Sequence, residues 1–403
     1  GFADAGALPA LPELPVAPVR AFSIDDHTTT EIDDAFSVRE LANGHLEIGI
    51  HIAAPALAIA RDSALDRIAR GRLSTVYMPG RKITMLPDAA IDAFTLAAGG
   101  ARPALSLYVE TTHAGVPVRH ETRVDKVPVA ANLRLDEPGE AFANDLPSPG
   151  DPPWTGELRA LWKLASNLAQ SRGKPDITRI DYSFYVDWDD ATAHPEPGRI
   201  SIVPRPRGSP IDKLVAELMI FANNTWGRYL ADHGAAGLYR TQSMGKVKMS
   251  TRPGEHQGLG LSHYLWASSP LRRYSDLVNQ RQVLALAAGE RPPYGDNDAE
   301  LFAVVADFEA TYAQYAEFQD RMEHYWCLRW LVQEGVQETG ATVIRDNLVR
   351  FDRLPLIVRL ADLPESAPGA SVRVAIGRID LLAATLECRV AGAGAAAATP
   401  QPA

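Results

Sequence analysis

The stretch Ser23-Ile24-Asp25-Asp26-His27-Thr28-Thr29-Thr30-Glu31-Ile32-Asp33-Asp34-Ala35-Phe36 puts five carboxylates within ten residues. Carboxylates crowded in this way repel one another and resist ionisation, whereas a bound divalent cation reverses the sign of the interaction. Hard oxygen donors with no cysteine nearby suit Mg²⁺, or Mn²⁺, over Zn²⁺. Because Mg²⁺ takes one or two carboxylates and fills its remaining positions with water and substrate phosphate oxygens, phosphodiester chemistry follows naturally. The run is equally compatible with a solvated acidic loop that holds no ion. A calcium loop of the EF-hand kind is disfavoured, because alternate Asp/Asn ligands followed by Gly are absent. Gly258-Leu259-Gly260 is a fragment of a nucleotide-binding fingerprint that reads better as a turn, and His256 and His263 lack metal-ligand spacing.

A second charged feature has the opposite sign. Between Arg240 and Arg281 stand seven basic residues (Arg240, Lys246, Lys248, Arg252, Arg272, Arg273, Arg281) against two acidic ones (Glu255, Asp276). A solvated basic face and a nucleic-acid channel both fit. The formal net charge of −10 argues against an outer surface coated with nucleic acid, since phosphates must be neutralised by Lys and Arg where they touch. Cys327 and Cys388 match neither a metal pattern nor a disulfide framework, which points to a reducing, cytoplasmic setting. The sequence shows no apolar run of membrane-spanning length and no signal peptide. The missing initial Met suggests a trimmed chain.

The elements that must position these charges read as an α+β fold. With 403 residues, 46% of them hydrophobic, one large core or two to three smaller domains can form. Residues 1–20, rich in Pro, Ala and Leu without a period, read as a linker or the stump of a removed domain. From Arg20 to Val129 the pattern is mainly strand, with Leu46, Ile48, Ile50 and Ile52 alternating against Glu47, Gly49 and His51 after the turn signal Asn43-Gly44. A second hairpin is expected around His113-Ala114-Gly115, and a short helix over Ser63–Arg70. Asp136–Pro153 reads as a loop. Helices follow from Leu158 to Gly173, from Asp212 to Leu230, from about Pro270 to Ala288, and over Asp298–Glu334, where the length suggests a bend or a break. Strand-like segments lie at Tyr182–Val186 and Ile200–Val203. After Gly335 the period returns to two, and a small β-barrel of OB type fits residues 336–391. The low-complexity end, 392–403, reads as disordered.

Several of these runs together resemble the catalytic (RNB) domain of the ribonuclease II family, which includes ribonuclease R and the exosome-associated exoribonucleases. SIDDHTTTEIDDAF resembles that family's acidic signature, GIHIAAP the strand after its first hairpin, and LDRIARGRLSTVYMPGRKITMLP its next block. LVAELMIFAN resembles its Glu-bearing helix and YLWASSPLRRYSDLVNQR its Arg-bearing signature, all in order over most of residues 20–290. The resemblance implies an RNB-type catalytic domain over 21–335 and an OB-type RNA-binding module over 336–391. It implies a 3′ to 5′ hydrolytic exoribonuclease that releases nucleoside 5′-monophosphates from single-stranded RNA by a two-metal mechanism, acting as a monomer without an organic cofactor.

Carried over by position, metal binding falls to Asp25, Glu31, Asp33 and Asp34, with Asp33, Asp34 and Arg272 as the catalytic set. Tyr77 matches a tyrosine that supports the terminal nucleotide, Glu217 a carboxylate near the terminal sugar, and Arg272 an arginine on the scissile phosphate. Tyr182 is the expected second stacking aromatic, and Lys246 and Arg273 are expected phosphate contacts. Their chemistry suits those roles, because an aromatic ring stacks on any base and a guanidinium forks two phosphate oxygens. Taken singly, Tyr77 also reads as a core aromatic, Glu217 as an exposed helix residue and Arg272 as a helix-surface charge. The chain departs from the family at Glu31, where Asp is commoner, and at Trp266 and Gln280, where His is commoner. Its connection from Arg240 to Ser269 is short, and the family's N-terminal cold-shock domains are expected to be missing. The competing reading is a catalytically inactive RNA-binding protein on the same fold. A sugar-hydrolysing carboxylate enzyme would need neither metal nor an arginine-rich channel.

Overall fold

The alternation of apolar and polar residues in the first third of the chain does build strands: β1 (Ala21–Asp25), β2 (Asp34–Glu40) and β3 (Leu46–Ala53) precede helix α1 (Ala64–Arg72). Short strands β4 (Val76–Met78) and β5 (Arg81–Ile83), helix α2 (Asp88–Phe94), and the long pair β6 (Gly100–Thr111) and β7 (Pro117–Arg134) come next. Helix α3 (Thr155–Arg172), the hairpin β8 (Arg179–Asp187) and β9 (Arg199–Arg207), and helix α4 (Pro210–Asp232) lead to the hairpin β10 (Tyr239–Ser243) and β11 (Lys246–Ser250). Helices α5 (Tyr274–Ala287) and α6 (Ala299–Gln333) are followed by β12 (Glu338–Arg345), β13 (Leu348–Phe351), β14 (Ile357–Arg359), β15 (Ser371–Asp380) and β16 (Thr385–Val390). These coordinates are a computed structural model that describes residues 6–135, 139, 141–144, 148, 150–174, 179–188 and 198–391.

The chain forms two compact units. One comprises Gly1–Thr75, Ile83–Ile177 and Gly208–Ala313, the other Val76–Lys82, Thr178–Arg207 and Gln314–Ala403. In the first unit, strands β1-β2-β3-β6-β7 close into a barrel, with β1 antiparallel to β2 and parallel to β7. One face of these strands carries Phe22, Phe36, Ile48, Ile50, Ile52, Leu105 and Leu107, all fully buried and packed in one cluster with Leu158 and Leu161 of α3 and Leu214, Leu218 and Trp226 of α4. The start of α4 and the end of α3 follow local rules. Ser209 caps α4 by accepting from the Asp212 amide, with Pro at the first turn, and Gly173 ends α3 in the left-handed region at φ 62.

The second unit has its own core, in which Cys327, Leu328 and Leu331 of α6 pack with Ala341, Val343, Val349, Phe351 and Val374, and Phe184 and Ile202 of the β8–β9 hairpin lie against them. Its sheet has the order β14-β13-β12-β15-β16, so β14 and β16 are edges where the sequence suggested a small barrel. Three segments from within residues 21–335 belong to this unit: Val76–Lys82, the stretch with the β8–β9 hairpin, and the chain from Gln314 onward. Linear pattern reading cannot detect such sharing. Both cysteines are free. Among the described residues no helix is long and apolar enough to cross a membrane.

Three further expectations change. Residues read as a linker are partly tethered: the Ala17 amide donates to the Lys126 carbonyl at 2.9 Å, the Lys126 amide to the Pro15 carbonyl at 2.8 Å, and Leu8 and Leu11 pack on the core. Helix α6 runs for 35 residues as one helix, which removes the expected break. Helix α5 begins at Tyr274, not near Pro270, because Arg273 is extended (φ −136, ψ 126) and bridges to Ser74. The expected loop at Asp136–Pro153 lies partly, and the tail 392–403 wholly, outside the described residues.

The other face of the barrel strands holds a buried polar chain. His51 Nε2 is 2.9 Å from Ser37 Oγ and its Nδ1 is 2.9 Å from Ser106 Oγ, which donates to Asp125 at 2.8 Å, while the Tyr108 hydroxyl donates to the same carboxylate at 2.7 Å. A Cβ at Gly49 would meet His51 Nε2 at 2.4 Å, so glycine makes room for the ring. Burial pushes the His51 imidazole down to about 3. In the unfolded chain the ring takes a proton near 6.5, so between these values the unfolded state binds the extra proton, and acidification below 6.5 destabilises the fold. Replacing His51 by Gln is expected to flatten the fall of unfolding free energy between pH 6.5 and 4 by about one proton's worth of slope, read by urea denaturation across that range.

Candidate active site

Pairing of β1 with β2 sets Phe22 opposite Phe36, and continuing this register past the strand ends puts Asp25 opposite Asp33. The intervening loop is pinned by buried contacts. Thr95 Oγ1 accepts from the Ile32 amide at 2.9 Å and donates to the Thr30 carbonyl at 2.9 Å, the Leu96 amide donates to the Ile32 carbonyl, and the Ala53 amide to the Asp33 carbonyl. The ends of the acidic run are thereby fixed before any side chain is considered.

Asp33, 2% exposed, accepts from the Leu271 amide at 2.9 Å and from Arg272 Nε at 2.8 Å. The late start of α5 makes this clip. The Arg272 and Arg273 amides donate back to the Ser269 carbonyl, the Tyr274 amide to Leu73 and the Thr75 amide to Arg272, which holds residues 270–272 as a turn and Arg273 as extended chain, with the Leu271 amide and the Arg272 guanidinium turned toward Asp33. Arg272 Nη2 also donates to Ser269 Oγ at 3.0 Å. Glu31, 4% exposed, accepts from Thr75 Oγ1 at 2.9 Å, and Thr75 Oγ1 accepts in turn from the Met85 amide at 3.0 Å. Asp25 accepts from Ser23 Oγ at 2.6 Å.

The electrostatics show too little positive charge at this point. Burial pushes Asp34 up to about 8, with the Asp25 and Asp33 carboxylates adding to the rise and Arg272 opposing it. Burial raises Asp33 to about 7 against Arg272 and the Leu271 amide, and it raises Asp25 against the Ser23 hydrogen bond. Oxygen donors that resist ionisation beside one another fit a divalent cation, which would displace their protons.

The carboxylates are not gathered into a tight trio. Among the described residues, the acidic group that could hold a metal, with oxygens within 4.8 Å of one another, is Asp62, Asp66 and Glu300. Arginines already balance that group: Arg61 Nε is 2.7 Å and Arg70 Nη1 3.0 Å from Glu300, and Arg281 Nη2 is 2.6 Å from Asp66. It reads as an ion-pair network joining α1, α5 and α6.

The remaining expected residues are dispersed. Glu217, 5% exposed, is engaged by Arg172 through Nε at 3.1 Å and through Nη2, and Arg172 Nη1 also donates to the Leu259 carbonyl. It is a buried ion-pair partner, not an exposed helix residue. Arg273 forks Asp276 at 2.9 and 2.8 Å, which occupies the guanidinium expected on a phosphate. Lys246 is exposed on β11. Tyr77, 41% exposed, and Tyr182, whose hydroxyl burial raises above its ordinary range, belong to the second unit, whereas the acidic loop and Arg272 belong to the first. Gln280 is a buried clip: its Oε1 accepts from the Ala56 amide and its Nε2 donates to the Ala53 carbonyl. Sequence reasoning missed Thr75, Thr95 and Arg172, because threonine and arginine are too common for their type alone to mark a support.

A profile of the RNB domain matches residues 17–247 and 241–289, which covers the acidic loop, the Glu217 helix and the Arg272 segment. The chain belongs to the RNB domain family. Among RNB relatives, an exoribonuclease 2 of Edwardsiella piscicida is 29% identical over 334 residues, 66% of this chain and 49% of its own. The chain spans about half the length of the curated relatives it matches. In fold it is similar to Mycoplasma genitalium RNase R, solved with ribose-methylated single-stranded RNA, at a TM-score of 0.77 and 16% identity over 96% of this chain and 73% of that one. It is also similar to yeast Ssd1, described as a pseudonuclease, at a TM-score of 0.64 and 17% identity over 85% of this chain and 49% of that one.

Thr75→Val removes the hydroxyl shared by Glu31 and the Met85 amide at almost constant volume. It is expected to lower unfolding free energy by about 1–3 kcal/mol in urea denaturation, with Thr75→Ser close to the parent.

Proposed function

We propose that this RNB chain is a 3′ to 5′ hydrolytic exoribonuclease that shortens single-stranded RNA and releases nucleoside 5′-monophosphates. The observation that carries the reading is the Asp33 clip, which sets a guanidinium beside carboxylates that burial and mutual repulsion keep from ionising. Phosphoryl transfer needs both: cations among the oxygens, and a forked donor for charge that grows on the phosphate. Asp25, Glu31, Asp33 and Asp34 would hold the metal, Mg²⁺ or Mn²⁺. A two-ion site of this kind supplies an activated water and a stabilised leaving 3′ oxygen. Arg272, 42% exposed at its side chain, is oriented by Asp33 and Ser269 and would contact the scissile phosphate. Tyr77 and Tyr182 would stack on bases without sequence preference, and the sheet over Glu338–Val390 would act as an OB-type accessory RNA binder. A cytoplasmic monomer is the setting that best suits this activity.

A second reading is an RNA-binding protein that does not cleave. It is favoured by the spread of the acidic side chains and by the fold's occurrence in a pseudonuclease, since a fold alone does not fix chemistry. Incubation of 5′-labelled oligoribonucleotide with Mg²⁺ and with EDTA separates the two. Products that shorten from the 3′ end and appear only with metal support the enzyme, and intact substrate in both arms supports the binder. Asp34→Asn imitates the protonated carboxyl, so it should fold normally and bind RNA while hydrolysis drops by at least about a hundredfold. Parent-like turnover by this variant would remove Asp34 from the site.

A further inference from the structure

The basic run from Arg240 to Arg281 is sorted by its partners. Arg272 is committed to Asp33, Arg273 to Asp276 and Arg281 to Asp66, so these three are neutralised within the fold. Arg240 differs. It sits on β10 with its backbone amide donating to the Tyr264 carbonyl, and its guanidinium carbon lies 4.2 Å from the centre of the Trp266 ring. Among the described residues, no carboxylate, carbonyl or hydroxyl is hydrogen-bonded to that guanidinium. The charged and titratable groups facing it are Tyr312, Tyr264, Arg273 and Glu309. Glu309 is not ion-paired with it, and its Oε1 accepts from the Met249 amide.

Trp266 makes a rigid platform. Its carbonyl accepts from Asn279 Nδ2 at 2.8 Å and its ring meets Phe308 edge-on at 6.0 Å. Arg273 places its guanidinium carbon 4.2 Å from the same ring centre, so the two cations are neighbours across one indole. Arg273 adjoins Arg272 in sequence, which brings Arg240 next to the segment that carries the Asp33 clip. Across the β10–β11 hairpin, Arg240 lies opposite Met249, whereas Lys248 lies opposite Thr241 and Lys246 opposite Ser243. Residues directly opposite share a face and neighbours alternate, so both lysines project to the face away from Arg240.

We propose that Arg240, set over the Trp266 ring and with no hydrogen-bond or ion-pair partner among the described residues, is a binding site for a backbone phosphate of single-stranded RNA beside the scissile position. This deepens the exoribonuclease reading and rests on it. A partly buried guanidinium is costly unless its donors are satisfied, and burial does lower its proton affinity. A phosphate oxygen pair matches the planar fork, and stacking on the ring holds that fork in one orientation in advance, so little rotamer freedom is lost on binding. The occupant is an RNA phosphate and not an acidic protein segment, because Arg240 shares its platform with the arginine next to Arg272. A His at position 266 would offer a smaller ring for two guanidinium groups to share.

The test measures binding without cleavage: the full chain is titrated with fluorescein-labelled oligoadenylate in EDTA from 50 to 300 mM KCl, and Arg240→Gln is compared with the parent. Arg240→Gln is expected to bind about tenfold more weakly at low salt. Its slope of log affinity against log salt should be shallower by about 0.7, one single-strand phosphate. Arg240→Met, which keeps an apolar stem on Trp266, should behave alike and carries the test if the Gln variant loses its native circular dichroism. Variants with parental affinity and slope, or weaker binding with an unchanged slope, would show a packing arginine and overturn the proposal. Failure of the parent itself to bind the oligonucleotide would instead overturn the exoribonuclease reading on which it rests.

Discussion

A carboxylate buried to 2% exposure must be supplied with donors, and Asp33 receives two of them from a segment nearly 240 residues away. Much of the first unit serves this contact. The β1–β2 pairing brackets the acidic loop, Thr95 and Leu96 fix that loop, and residues 73–75 together with the Ser269 turn hold residues 271–273 so that an amide and a guanidinium are presented together. Removing one partner of such a buried pair leaves an uncompensated charge, so site and fold are stabilised by the same bonds.

Two acidic clusters in this unit show how charge balance separates a site from a brace. Asp62, Asp66 and Glu300 lie close together, yet Arg61, Arg70 and Arg281 meet them with direct ion pairs, and the Tyr274 hydroxyl and the Asp62 amide satisfy more of Asp66. Asp25, Asp33 and Asp34 share the Arg272 guanidinium, with Arg134 also acting on Asp25, and burial with mutual repulsion still drives Asp34 toward its neutral form. A cation added to the first cluster would compete with three guanidinium groups. Added to the second, it would relieve a repulsion that is already there. Proximity of oxygens is therefore a weaker sign of a metal site than the sign of the uncompensated field.

The same accounting applies to the basic run. Its surplus in sequence suggests a uniformly positive face, but Arg273 and Arg281 are held by Asp276 and Asp66, and the lysines of β11 lie on the opposite face of their hairpin from Arg240. What remains is a directional feature, a guanidinium on an indole beside the Asp33 clip, and not a diffuse field. The departures at Trp266 and Gln280 also acquire physical meaning. Gln280 bridges the Ala53 carbonyl and the Ala56 amide, a role for a side chain that both donates and accepts, and Trp266 serves as a shared stacking surface.

The sequence by itself determined whatever depends on neighbours along the chain. The period-two alternation at Leu46–Ile52 gave β3, Asn43-Gly44 its turn, Ser209 and Gly173 their helix ends, and the spacing of Asp25, Glu31, Asp33 and Asp34 announced a crowded carboxylate site. Tertiary structure alone decided partners that are distant in sequence: Arg272 for Asp33, Thr75 for Glu31, Arg172 for Glu217, and Asp276 as the group that occupies Arg273. It also assigned Val76–Lys82 and the β8–β9 hairpin to the unit of the C-terminal sheet, and it delayed the start of α5. The reason is physical. Periodicity and capping are set within a few residues, where the chain's own geometry dictates who meets whom, whereas a buried charge takes whichever donor the closed fold brings to it.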